Sequence, residues 1–163
     1  MNTPASIHGH PIHPMLVTVP IGLWLFSFVC DVVFTLGGGD LVWKTVALYC
    51  MAGGLIGALL AAVPGAIDLF SLRDRPAGRV GLVHMGLNLT VVAIYAVNLY
   101  LRLQSDQPSN GLVWLSAFAL VLLVISGWLG GRMVYELGVG VSTADPATRK
   151  EAERPVRMAS RGT

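Results

Sequence analysis

The chain has 163 residues, of which 54% are hydrophobic and only 12% charged, with a formal net charge of +2. A mean hydropathy of +0.67 excludes an ordinary water-soluble domain and makes this an integral membrane protein. Four membrane spans would consume nearly all of the chain, so a second folded domain is excluded as well, and no nucleic-acid partner is expected.

The first element is announced by GHPIHPMLVTVPIG over residues 9–22, where histidines and prolines run straight into an apolar segment. Pro14 suits the first helical position, because it has no N–H to leave unpaired and its φ is already helical. The first helix is therefore expected over about 14–36 with His13 at its mouth. Residues 1–14 lack a basic n-region and no small-residue cleavage signature follows, so this segment reads as a retained span rather than a signal peptide.

The second span is expected over about 42–67. Gly53, Gly57, Ala61 and Gly65 form a ladder four residues apart, the spacing that lets a neighbouring backbone approach closely in lipid. Pro64 should bend this helix just before Asp68. The third span, about 80–103, carries a stripe of His84, Asn88, Val91, Tyr95, Asn98 and Arg102, the spacing of one helix face. Polar groups are costly toward lipid, so the stripe should face the interior. The fourth span, about 112–136, has a shorter small-residue pattern at Ser126, Gly127, Gly130 and Gly131. Each window approaches the roughly 20 residues that cross a hydrocarbon core.

An up-down-up-down four-helix bundle over residues 1–141 follows, with a polar, disordered tail over 142–163. Nine Lys and Arg fall on the side of the N-terminus, the 68–79 loop and the tail, against Lys44 and Arg102 on the other. That asymmetry places both termini in the cytoplasm, and the expected location is a bacterial cytoplasmic membrane. Asp31 with Lys44 or Arg102 reads as a buried ion pair that fixes helix register. Cys30 and Cys50 lie in apolar windows and read as small hydrophobes.

The histidine side carries the functional question. Helices one and three lie diagonally in such a bundle, which sets His13 and His84 face to face. One reading is a b-type haem held between these two imidazoles, with Arg132, Arg79 or the arginines of the 68–79 loop pairing its propionates. A second is a zinc or iron ion held by His10, His13, Asp68 and His84. A third is a ligand-free clasp, His13 capping its helix and His84 bonding Asp68. No Gly-rich phosphate loop, activated nucleophile or paired-carboxylate motif is present, so the chain is not expected to be an enzyme on its own. Its expected function is a redox or metal-binding membrane subunit, with a structural or transport-accessory role as the alternative. The expected partners are the lipid bilayer, a membrane redox protein and a second copy of the chain.

GHPIHPMLVTVPIGL, the GAIDLF end of the second span, HMGLN at the start of the third and LGGRMVYELGVGV at the end of the fourth resemble the predicted membrane proteins grouped as domain of unknown function 2231. The resemblance covers about residues 8–141. It implies the four-helix fold, and some relatives joined to Rieske-type iron–sulfur domains imply a setting near electron transfer. Carried over residue by residue, it picks out His10, His13, Asp68, His84, Asn88, Arg132 and Tyr135, and leaves His8 as an addition.

Overall fold

The computed structural model describes residues 3–104 and 109–141; the polar tail of residues 142–163 lies outside the described residues. A two-stranded hairpin, β1 (Ser6–Ile7) and β2 (His10–Pro11), is followed by helices α1 (Ile12–Leu16), α2 (Thr18–Leu36), α3 (Leu41–Ser71), α4 (Pro76–Leu103) and α5 (Asn110–Tyr135). Taken as one span with α1, α2 gives Ile12–Leu36, and this segment and the three later helices are each long and apolar enough to cross a membrane. The architecture is thus the expected all-helical membrane bundle.

The hairpin was not expected, and it explains the first histidines. Ser6 pairs with Pro11 and Ile7 with His10, leaving His8 (φ 50) and Gly9 (φ 80) as the two turn residues. Positive φ at both central positions is the type I′ geometry that matches strand twist. His8 therefore occupies a turn and His10 an exposed strand position, while only His13 reaches the bundle.

The first span also breaks where a single helix was expected. Pro20 removes the N–H that the Leu16 carbonyl would accept, and the helix divides at Val17 between α1 and α2. Pro14 falls in the first turn of α1 rather than at its first position, still where an N–H is dispensable. By contrast, α3 runs as one 31-residue helix through Pro64 to Ser71, four residues beyond the expected end. Asp40 caps it, accepting from the Val42 N–H at 3.0 Å.

The small-residue ladder of α3 faces α1 and α2. A Cβ on Gly53 would stand 3.1 Å from Leu23, one on Gly57 3.0 Å from Val19 and 3.2 Å from Pro20, and one on Gly65 2.7 Å from the His13 ring. Close packing therefore accounts for these glycines. Val91, Tyr95, Asn98 and Arg102 of the α4 stripe are buried.

Three contacts reveal an internal repeat. His13 faces His84, with ring centroids 6.2 Å apart; Trp24 stacks on Tyr95 at 4.3 Å and 4°; Asp31 pairs with Arg102. Each pair joins α1–α2 to α4 across the same separation of 71 residues. The second helix of each hairpin repeats too, now at a spacing of 65 residues. His13 bonds the Ala61 carbonyl and His84 that of Ser126, while Ser27 bonds Ala47 and Asn98 bonds Leu112. The bundle is thus two helical hairpins, α1–α2–α3 and α4–α5, running in the same direction. Equivalent residues that touch one another lie on a two-fold axis, and a parallel repeat puts that axis along the membrane normal. Eighteen residues of α4 between His84 and Arg102 measure about 27 Å, so the axis crosses most of the hydrocarbon core.

At the far end of the axis the expected ion pair forms with Arg102. Its Nη2 donates to Asp31 Oδ2 at 2.7 Å, its Nη1 donates to Oδ1, and its Nε donates to Asn98 Oδ1 at 2.8 Å. Both charged side chains are almost fully buried. Asn98 in turn donates to Leu112 O at 2.9 Å and Ser116 Oγ at 3.0 Å, so the layer is a connected network rather than an isolated pair.

Candidate cofactor site

The histidine end of the axis opens into an apolar cavity of about 490 Å³ shared by both hairpins, with His13, His84, Asn88 and Thr3 among its lining. Small residues such as Ala58, Ala61, Gly65, Gly127 and Gly130 make the walls. The cavity exists because the same glycines that admit close backbones leave no side chains to fill the space around the two rings.

Each imidazole is locked in the same way. Nδ1 of His13 lies 2.8 Å from the Ala61 carbonyl, and Nδ1 of His84 lies 2.8 Å from the Ser126 carbonyl and 3.0 Å from Ser126 Oγ. A carbonyl can only accept, so Nδ1 carries a proton in both rings, and in a neutral imidazole so anchored Nε2 is left as the acceptor. The glycine one turn on permits the approach in each case. A Cβ at Gly65 would stand 2.7 Å from His13 Nδ1, and one at Gly130 3.3 Å from His84 Cε1. The two ring planes are nearly perpendicular, at 86°.

The two Nε2 atoms differ in what surrounds them. Asn88 Nδ2 donates to His84 Nε2 at 3.1 Å and to the His84 carbonyl at 2.9 Å. His13 Nε2 has no hydrogen-bond partner among the described residues. Val17 occupies the position equivalent to Asn88 and also lines the cavity. The Thr3 hydroxyl, buried at the cavity wall, has no partner among the described residues either.

Of the other expected site residues, Asp68 also lines the cavity, whereas His10, Arg132 and Tyr135 do not. Asp68 accepts from the Ala5 N–H at 2.8 Å, so it tethers the N-terminal segment to the end of α3 instead of orienting an imidazole. The expected His84–Asp68 clasp is replaced by His84–Ser126, because a backbone carbonyl on the adjacent α5 is closer to hand than a carboxylate on α3. His10 is exposed, with Nδ1 3.2 Å from the His8 carbonyl. Among the described residues no group of three or more His, Cys, Asp or Glu comes together as a metal site, so the four-ligand set of His10, His13, Asp68 and His84 is not assembled. Arg132 donates to Glu136 at 3.0 Å with both side chains well exposed, outside the cavity lining. Tyr135 is 90% exposed.

The carbonyls of Ala61 and Ser126 and the glycines beside them were missed as site-forming groups, since Ser126 and Gly130 read only as packing. The available signal was the repeat itself, in which His13 and Asp31 have the same spacing as His84 and Arg102.

A sequence family described as a predicted membrane protein, DUF2231, matches residues 9–143. No curated protein and no solved structure matches the chain.

Proposed function

The chain belongs to the DUF2231 family of predicted membrane proteins, and we propose that it acts there as a redox subunit that holds one b-type haem between His13 and His84. The observation that carries this reading is the pair of Nδ1-anchored imidazoles facing one apolar cavity across the repeat axis. Two lone-pair nitrogens cannot satisfy each other, because both are acceptors. A metal ion would satisfy both, taking the place of the Asn88 amide at His84 Nε2, and anchoring Nδ1–H on a backbone carbonyl is the usual way a protein orients a ligating histidine.

The ligand count favours haem over a bare ion, and the two rings that would hold it stand 6.2 Å apart, centroid to centroid. A zinc site requires three or four protein ligands, whereas a porphyrin supplies four equatorial nitrogens and asks the protein for two axial ones. The apolar walls suit a macrocycle, and the orphan Thr3 hydroxyl offers a polar contact to a bound group. A propionate reaching Arg132 would have to compete with Glu136 for the guanidinium.

Haem held this way would exchange single electrons with a membrane partner. The distribution of Lys and Arg supports placing this end of the bundle at the cytoplasmic face. The competing reading, a structural bundle with a ligand-free clasp, draws on the Asn88–His84 bond, but it gives His13 Nε2 no protein partner among the described residues.

The test is the absorption spectrum of the full-length chain purified in detergent from haem-replete cells. One haem per chain with a low-spin reduced spectrum is expected, lost in His13→Ala and converted to a form with an open coordination position in His84→Ala. Absence of a Soret band together with absence of stoichiometric metal rejects this function.

A further inference from the structure

The polar groups around the cavity are few, and most are already engaged. No Lys or Arg is among its lining residues. The one carboxylate there, Asp68, accepts from the Ala5 N–H at 2.8 Å, and His84 Nε2 receives the Asn88 amide at 3.1 Å. Two groups remain. His13 Nε2, left as an acceptor by the Nδ1–Ala61 bond, has no partner among the described residues, and neither does the hydroxyl of Thr3, a residue only 6% exposed. The cavity also reaches the outer surface of the bundle, because two of its lining residues, Ile21 and Leu89, are 42% and 54% exposed. Leu89 lies thirteen residues beyond Pro76 in α4, about 20 Å along the helix, so the opening stands at the level of the hydrocarbon.

We infer that this cavity binds a neutral, membrane-soluble hydroquinone, one hydroxyl of which donates to His13 Nε2. An anionic ligand would find no counter-charge in these walls, and a cation would have to leave water for hydrocarbon to meet a carboxylate that is already bonded. A neutral donor incurs neither cost. A phenolic O–H is a stronger donor than an aliphatic alcohol, and an imidazole nitrogen is a good acceptor for it. The small residues Ala58, Ala61, Gly65 and Gly130 leave room for a ring, and about 490 Å³ lies within the usual range of small-molecule sites. The matching quinone carries only carbonyl acceptors, which cannot bond His13 Nε2, so the site distinguishes the reduced form from the oxidised one. This occupant and the haem proposed above require the same space, so the inference does not rest on the haem reading and the two exclude each other within one molecule.

The probe is 2-decylhydroquinone, titrated calorimetrically under argon into the full-length protein in detergent, prepared from haem-deficient cells. One saturable site per chain is expected, with affinity at least about tenfold above that for 2-decylquinone or for the hydroquinone dimethyl ether, the worth of one buried hydrogen bond. His13→Phe should bring the hydroquinone down to the level of the quinone and leave the quinone unchanged. Thr3→Val should weaken both forms alike, because a hydroxyl can donate or accept. The dimethyl ether, which keeps the ring and both oxygens but has no donor, tests the wild type even if His13→Phe fails to fold. Equal affinity for the hydroquinone and its dimethyl ether overturns the inference, as does the absence of saturable binding. Protein loaded with haem should not take up the hydroquinone, and undiminished binding there overturns the shared site. Absence of haem from protein made in haem-replete cells overturns the proposed function and leaves the hydroquinone result standing.

Discussion

Replacing Asp31 by Leu removes the acceptor for two of the bonds made by the Arg102 guanidinium, leaving only Asn98 Oδ1 at 2.8 Å and the longer contact to Ser116 Oγ at 3.4 Å. Arginine cannot shed its proton, so the variant holds an uncompensated buried cation, which costs about 3–5 kcal/mol. Removing the other partner is expected to be milder, because in Arg102→Met the Asp31 carboxyl can take up a proton and stay neutral. Replacing both charges with apolar groups of similar volume should recover most of the loss, leaving Asp31→Leu/Arg102→Met within about 1–2 kcal/mol of the wild type. Thermal unfolding in one detergent, followed by tryptophan emission, reads the series; Asp31→Leu should lower the midpoint by roughly 10 °C. If the double variant is as unstable as the sum of the single ones, the residues do not couple, and the ion pair of the repeat axis is not what organises this layer.

Gly57→Leu should be destabilised by about 1–3 kcal/mol in the same assay, because its side chain enters the seam against Val19 and Pro20; an unchanged midpoint would mean that this face looks out at lipid. Trp24→Ala empties the stack on Tyr95 and should cost about 3–5 kcal/mol, while His10→Ala, at an exposed strand position, should leave both stability and any Soret band unchanged. Gly65→Ala should displace the His13 ring and reduce cofactor retention far more than Gly130→Ala does, since the added carbon stands 2.7 Å from one ring and 3.3 Å from the other; equal retention in the two would show that the rings are not held against these backbones.

The number and extent of the helices were legible because bilayer thickness imposes a length and a charge-free composition that any reader of hydropathy can see. The inward stripe of α4 was legible for the same reason, since Asn98 and Arg102 have nowhere else to go. What escaped was set by backbone rather than side chains. The His8–Gly9 turn depends on two positive φ values, the split at Val17 on a hydrogen bond that Pro20 cannot make, and the anchoring of both imidazoles on carbonyls that every residue possesses. A carbonyl carries no signature in sequence, so Asp68 looked like the better partner for His84 than Ser126.

The repeat was hidden by the chemistry of its own axis. Two identical halves place identical residues opposite one another at the axis, and a buried Asp–Asp or Arg–Arg contact would be strongly repulsive in a medium of low dielectric. The layer at the far end can persist only if the copies diverge, as Asp31 and Arg102 have. Along the lipid-facing surfaces any apolar residue serves, so identity between the halves drains away there without cost. Trp24 and Tyr95 keep only aromatic character, which is all that stacking requires. Against this background His13 and His84 stand out as the axial contact pair in which both halves retain the same residue, with the same nitrogen tied down in each. Each imidazole ties its own hairpin together, His13 to the Ala61 carbonyl and His84 to that of Ser126, and this clasp by itself calls for histidine in both halves. A single group coordinated from both sides, as proposed above, would call for the same donor twice as well.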